Sequence, residues 1–87
     1  MKLAELAEIF DAKVEYGDVV TSLHKYWASL SRCEIVVGEG GVLASPTGFG
    51  KTKAEARKAL AERLAGATIR IDRTLSKQFY VPQTIRA

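Results

Sequence analysis

Residues 42–66 read VLASPTGFGKTKAEARKALAERLAG, and they carry the strongest local structural signals in this 87-residue chain. Thr52 is a favoured helix N-cap, and Glu55 three residues later completes a Thr-x-x-Glu capping box. Almost every residue from Ala54 to Ala65 is a strong helix former. Gly66 suits the position just after a helix, so this run predicts a helix that ends at about Ala65.

One side of this predicted helix is apolar and the other is charged. The apolar stripe consists of Ala56, Ala59, Leu60 and Leu64. Lys58 and Glu62 stand four residues apart on the polar side, a spacing that favours an ion pair. The helix is therefore expected to bury one stripe and to expose its charges to solvent.

Upstream of this helix, the residue pattern predicts one more helix and three strands. Leu3, Leu6, Ala7, Ile9 and Phe10 recur at helical spacing, which predicts an amphipathic helix over about 2–13. Alternating residues then predict strands at about 26–31, 33–37 and 42–44. Because only short turns separate these strands, they are expected to pair as antiparallel neighbours.

Downstream, two alternating runs at about 68–72 and 78–81 predict a second hairpin, with Pro82 at its end. The predicted order is therefore α-β-β-β-α-β-β. The expected fold is a single α+β domain over residues 1–87, with an antiparallel sheet and both helices packed on one face.

Composition and charge place the chain among ordinary globular proteins. Hydrophobic residues make up 47% and charged residues 26%, and the net charge is +3. A mild positive balance is compatible with a nucleic acid or an acidic protein surface as partner. No apolar run reaches the length of a membrane span, and Glu5 and Glu8 interrupt the N-terminal apolar segment, so neither a membrane anchor nor a signal peptide is expected. The predicted compartment is the cytoplasm.

The residues that usually carry catalysis or bind metals are scarce. Cys33 and His24 are the sole cysteine and histidine, which excludes an internal disulfide and a Cys-rich zinc site. Cys33 is expected to be a small apolar strand residue and His24 a surface residue. No nucleophile with a base, and no carboxylate pair in a pocket, is recognisable. The chain is therefore predicted to be a binding protein with no catalytic residues, no metal site and no cofactor.

Residues 45–52, SPTGFGKT, resemble the phosphate-binding loop of helicases. That resemblance implies that backbone N–H groups of Gly48, Gly50 and Lys51 cradle phosphates and that Thr52 holds Mg²⁺. However, the general motif has glycine at the position of Ser45, and such motors need a parallel sheet with crossovers for which this chain has no room. The alternative, which we adopt, is that the glycines form a strand-to-helix turn and Thr52 caps the helix.

Part of the same run, from Gly48 to Ala61, resembles the end of a double-stranded RNA-binding domain. That family has an α-β-β-β-α order, with a Gly-rich last strand that leads into a Lys-rich helix start. The resemblance covers about residues 41–65 and implies that Lys51, Lys53 and Arg57 contact phosphates at the helix N-terminus. The chain departs from the family in the C-terminal hairpin that follows the second helix.

A second resemblance covers about residues 26–82. It rests on the layout Trp27-Ala28-Ser29, Gly40-Gly41-Val42-Leu43, Gly48-x-Gly50-x-Thr52-x-x-Glu55-Ala56, Gly66 and Val81-Pro82. This layout is similar to that of small proteins encoded by tailed bacteriophages and prophages, among them anti-CRISPR and other anti-defence inhibitors. It implies stoichiometric binding to a host protein or ribonucleoprotein complex in the bacterial cytoplasm.

Two functions are therefore expected: inhibition of a host defence or regulatory complex by protein binding, or, as the alternative, direct nucleic-acid binding. Phe49 is singled out as an aromatic residue between two glycines that can anchor a partner. Exposed strand edges are also compatible with a homodimer. The candidate binding residues are Phe49, Lys51, Lys53, Arg57, Lys58, Arg70, Arg73 and Lys77.

Overall fold

The computed structural model describes residues 1–20, 23–38, 42–71 and 78–87. Within these ranges it has two helices and seven strands. In chain order they are α1 (Leu3–Ile9), β1 (Val14–Asp18), β2 (Tyr26–Leu30), β3 (Cys33–Val37), β4 (Val42–Ala44), β5 (Thr47–Gly50), α2 (Lys53–Leu64), β6 (Thr68–Ile71) and β7 (Gln78–Tyr80). The α+β class is confirmed, and the order gains two strands, β1 and β5.

The described strands form two antiparallel sheets, whereas the sequence predicts one. The first sheet has the order β1-β2-β5, and the second has the order β4-β3-β6-β7. The β3–β4 and β6–β7 hairpins are as predicted. The expected pairing of β2 with β3 is wrong, because the chain passes from one sheet to the other at the turn formed by Ser31 and Arg32. Arg32 adopts a φ of 63° in this turn.

The first helix is shorter than predicted and ends at Ile9. The chain turns away at Asp11, which has a φ of 53° in the left-handed region that Asp tolerates better than most residues. The Asp11 carboxylate forms a salt bridge with Arg32 at 3.2 Å, which ties this turn to the β2–β3 turn. Both side chains are well exposed to solvent, so the pair contributes little to stability.

The second helix begins as its sequence predicts. Thr52 is the N-cap, and its hydroxyl accepts a hydrogen bond from Glu55 N at 3.1 Å. The Glu55 carboxylate in turn accepts one from Lys51 N at 3.0 Å, one residue before the usual partner in a capping box. Gly66 follows the helix with a φ of 71°, which confirms the predicted stop.

One hydrophobic core joins both helices to the inner faces of both sheets. Six large side chains in it are fully buried: Leu3, Leu6, Leu30, Leu60, Leu64 and Ile69. Each contributes about 1.5–3 kcal/mol through burial. Cys33 lies in β3 at the edge of this core and is 5% exposed, which confirms its expected role as an apolar strand residue.

Helix α2 packs closely on strand β5, and two glycines permit the contact. A Cβ on Gly48 would collide with the backbone nitrogen of Leu60, and a Cβ on Gly50 would lie 2.5 Å from the backbone nitrogen of Ala56. A side chain at either position would therefore push the helix off the sheet. Among the described helices, neither has the length and apolarity needed to cross a bilayer.

Candidate functional site

The residues that resemble a phosphate-binding loop form a strand. Thr47–Gly50 is β5, and it pairs with β2 so that Gly48 lies opposite Ala28 and Gly50 lies opposite Tyr26. Successive N–H groups of a strand point in opposite directions, so they do not converge on one phosphate. The expected glycine turn is therefore wrong, and the glycines serve the close contact between β5 and α2.

Two backbone donors at the start of α2, those of Lys51 and Glu55, are already in use. The carboxylate of Glu55 accepts from Lys51 N, and the hydroxyl of Thr52 accepts from Glu55 N. An anion at this helix N-terminus would compete with the Glu55 carboxylate for the Lys51 N–H. The Glu55 carboxylate thus makes this helix N-terminus less favourable for an anion, and the exposed lysine side chains are the main positive groups here.

Lys25, Lys51 and Lys53 lie at one end of the first sheet, which we call the lysine end. Lys25 N donates to Gly50 O at 3.0 Å, so Lys25 and Lys51 flank the final rung of the β2–β5 ladder. Lys53 begins α2, and its Nζ lies 6.0 Å from the ring centroid of Tyr26. All three lysines are exposed, and no carboxylate of the described ranges forms a salt bridge with them.

Two carboxylates moderate the charge of the lysine end. Glu55 is held next to Lys51 by its hydrogen bond to the Lys51 backbone. Asp18 lies opposite Tyr26 at the end of β1 and is exposed. The lysine end therefore carries a small net positive charge, and removing either carboxylate would increase that charge.

Arg57 does not project freely into solvent, unlike the lysines. Its Nε donates to Ala87 O at 3.1 Å, and its Nη1 donates to the hydroxyl of Tyr16 at 3.1 Å. These bonds hold the guanidinium over strand β1. Arg57 therefore ties α2 to β1 and to residue 87, and its expected role as a phosphate contact stays a prediction.

Of the other basic candidates, the two that the structure describes, Lys58 and Arg70, lie apart from the lysine end. Lys58 is exposed, and five residues of helix turn it about 140° from Lys53, away from the sheet. Arg70 lies on β6 in the second sheet, opposite Glu34 and Gln78, and its buried Nε has no hydrogen-bond partner in the described structure. Arg73 and Lys77 lie outside the described residues.

The first sheet has one face toward α2 and a second face that solvent reaches, which we call the open face. Trp27 of β2 and Phe49 of β5 lie opposite each other on the open face. Phe49 is 47% exposed, as expected from the sequence, although it lies in a strand rather than in a loop. The ring of His24 lies 5.9 Å from that of Phe49, so aromatic side chains continue along this face toward the lysine end.

Hydroxyl groups lie beside these aromatic side chains. Ser45, Thr47 and Ser29 form a hydrogen-bonded chain, with distances of 2.9 Å from Ser45 Oγ to Thr47 Oγ1 and 3.3 Å from Thr47 Oγ1 to Ser29 Oγ. Together with Trp27 and Phe49 they line a shallow cleft of about 340 Å³. The open face therefore combines apolar rings with polar donors and acceptors.

His24 is exposed, as expected for a surface residue. Across the described part of the chain, no three His, Cys, Asp or Glu side chains are grouped so that they could hold a metal ion.

Sequence reasoning identified Lys51, Lys53 and Phe49 but missed Lys25 and Trp27. Both missed residues belong to the site only because β2 pairs with β5, a contact between segments about 20 residues apart. The sequence did contain a hint of both residues. Lys25 directly precedes an alternating strand, and Trp27 is the first residue on the face of that strand that points away from the core.

Comparison of the chain with protein-family models, with curated proteins and with solved structures found no match.

Proposed function

We propose that this protein is a non-enzymatic binding domain that holds a nucleic acid by its phosphates at the lysine end. The observation that carries this proposal is the convergence of Lys25, Lys51 and Lys53 from two separate elements at one end of the first sheet. Exposed lysines neutralise phosphates and release counterions on binding, and within the described ranges these three form no salt bridge.

The order of the elements around this end also supports the proposal. If the β3–β4 hairpin is left aside, the chain runs α1, β1, β2, β5, α2, and the three strands are neighbours in that same order. This is the α-β-β-β-α order that the resemblance to double-stranded RNA-binding domains implies. Strand β5, with the sequence TGFG, is a Gly-rich last strand that leads directly into the Lys-rich start of α2.

The first helix is not suited to the same ligand. Glu5 and Glu8 of α1 are exposed, and Asp11, three residues after Glu8, is exposed as well. Because like charges repel a phosphate backbone, we restrict the proposed contact to the lysine end.

The test is fluorescence anisotropy with a labelled oligonucleotide at low salt. Lys51→Gln and Lys53→Gln are each expected to weaken binding by about 2- to 10-fold, because each removes one phosphate contact. Asp18→Asn is expected to strengthen binding, because it removes a negative charge from the same end.

Lys58→Gln is the matched control, since it removes an exposed lysine from the same helix but on the side away from the sheet. It is expected to leave affinity close to that of the unmodified protein. Equal losses for Lys51→Gln, Lys53→Gln and Lys58→Gln would show that net charge alone matters and would contradict a localised site. No binding of any oligonucleotide at low salt would remove the proposal.

The second proposal is stoichiometric inhibition of a host complex by a phage-encoded protein. An apolar pair at one edge of the second sheet favours it: Val37 and Val42 lie opposite each other and are 47% and 65% exposed. Tyr80, on the strand at the other edge, is 75% exposed. Exposed edge strands with apolar side chains are frequent sites of pairing with another chain.

Val42→Lys and Tyr80→Lys distinguish this proposal from the first. Recovery of one stoichiometric complex from a host lysate should be lost with these variants and retained with Lys51→Gln. Recovery that depends on Lys51 and Lys53, or that disappears after nuclease treatment, would favour nucleic-acid binding instead.

A further inference from the structure

The indole of Trp27 lies over the backbone of Gly17 in the neighbouring strand. The two residues are register partners, and a Cβ on Gly17 would collide with Cε2, Cζ2 and Nε1 of the indole. Nε1 belongs to the five-membered ring, Cζ2 to the six-membered ring and Cε2 to both, so the indole lies with one face against the strand. Trp27 is nevertheless only half-buried, which leaves part of its surface open to solvent.

Phe49 extends this aromatic surface across the sheet. It is the cross-strand partner of Trp27 and is 47% exposed. Exposed aromatic side chains bind planar rings by stacking, and every nucleobase is a planar ring.

The hydroxyl chain beside the rings ends in an available donor. Thr47 has one hydroxyl proton, which it donates to Ser29, so Ser45 must donate its own proton to Thr47. The proton of the Ser29 hydroxyl therefore has no acceptor among the described side chains. The indole N–H of Trp27 likewise has no hydrogen-bond partner in the part of the chain that the structure describes. The Ser29 hydroxyl thus offers a donor in the cleft, whereas the indole N–H lies on the Gly17 side of β2. The edge of a base offers the carbonyl and ring-nitrogen acceptors that such donors need.

The charged side chains around this cleft favour one class of planar ligand over others. Trp27 and Phe49 lie toward the lysine end of the sheet, next to Lys25 and Lys51, whereas the exposed carboxylate of Glu15 lies opposite Ser29 toward the other end. A ligand that places aromatic rings on the open face and negative charge on the lysines matches this arrangement.

We infer that the open face binds unpaired bases, so that the ligand is a single-stranded nucleic acid whose phosphates contact the lysine end and whose bases stack on Trp27 and Phe49. This inference rests on the proposed function and specifies its ligand. In a duplex the bases are already stacked on each other, so a duplex can use the lysines but not the open face.

The test uses the intrinsic fluorescence of Trp27, the only tryptophan in the chain. An oligothymidylate of about 12 nucleotides should quench its emission in proportion to binding, and should bind more tightly than a duplex of equal length. Phe49→Leu, which keeps an apolar side chain but removes the ring, should weaken binding by about 5- to 100-fold. Phe49→Tyr, which keeps an aromatic ring, should bind about as tightly as the unmodified protein. Tyr80→Leu, which removes an exposed ring from the second sheet, should have no effect on binding.

The outcomes separate this inference from the function on which it rests. If binding depends on Lys51 and Lys53 but does not change the emission of Trp27 and is insensitive to Phe49→Leu, the inference is wrong and the proposed function stands. If duplex binds as tightly as the single strand, the inference is also wrong. If no oligonucleotide binds, both fail.

A concentration-dependent change in Trp27 emission with a dimeric mass, in the absence of nucleic acid, would assign the open face to a second copy of the chain and overturn the inference.

Discussion

Arg57 of helix α2 donates a hydrogen bond from Nη1 to the hydroxyl of Tyr16 on strand β1, at 3.1 Å. Its Nε donates to Ala87 O at the same distance. A single guanidinium thus connects the second helix, the edge strand of the first sheet and the last residue of the chain. These two hydrogen bonds give Arg57 a structural role in holding α2 against β1.

Removing the Tyr16 hydroxyl should therefore affect stability and not binding. Tyr16→Phe is expected to lower the free energy of unfolding by about 0.5–1 kcal/mol, because the bond is charge-assisted but partly exposed. In an Arg57→Ala background the same change should have no effect, since the partner is already absent. Urea unfolding of the four proteins measures this coupling. Equal losses in both backgrounds would mean that the hydrogen bond contributes nothing in solution.

Neighbouring positions on β5 should respond very differently to alanine. Gly48→Ala is expected to cost about 2 kcal/mol or more, because its Cβ would collide with the backbone of α2 and the helix would have to shift. Phe49→Ala, one residue further on the open face, is expected to cost less than about 1 kcal/mol. The urea midpoints of the two variants compare them directly. A Gly48→Ala protein as stable as the unmodified chain would contradict the close packing of β5 on α2.

Thr52 should act as a helix cap and not as a ligand. Thr52→Ala is expected to lower the free energy of unfolding by about 1 kcal/mol, because it removes the acceptor for Glu55 N. Thr52→Ser keeps a hydroxyl at this position and should retain most of the stability. Thermal or urea unfolding distinguishes the two variants. Identical losses for alanine and serine would show that the hydroxyl is not the stabilising group.

The second helix could be predicted because its signals are local. The Thr52 cap, the Glu55 carboxylate and the Gly66 stop all lie within a few residues of the helix ends. Strand β1 was missed for the opposite reason. It is five residues long, includes Gly17 and Asp18, which are rare in strands, and follows a run whose apolar spacing predicts a helix to about residue 13.

The division into two sheets could not be predicted from local pattern. The Ser31–Arg32 turn has the length of a hairpin turn, yet the strands on its two sides belong to different sheets. Gly48 and Gly50 similarly look like loop residues in the sequence. The reason for glycine at these strand positions is the close packing of α2, which leaves no room for a Cβ. Of the site, Lys51, Lys53 and Phe49 could be found from the sequence. The aromatic partner Trp27 and the third lysine, Lys25, depend on the long-range pairing of β2 with β5.

Salt dependence tests the lysine end most directly. The logarithm of the oligothymidylate binding constant should fall linearly with the logarithm of salt concentration, and each phosphate contact adds about 0.7 to the slope for a single strand. A Lys25→Gln, Lys51→Gln, Lys53→Gln triple variant should therefore show a slope smaller by about 2 than that of the unmodified protein. An unchanged slope would mean that these three lysines do not contact phosphates, and it would contradict the proposed nucleic-acid surface.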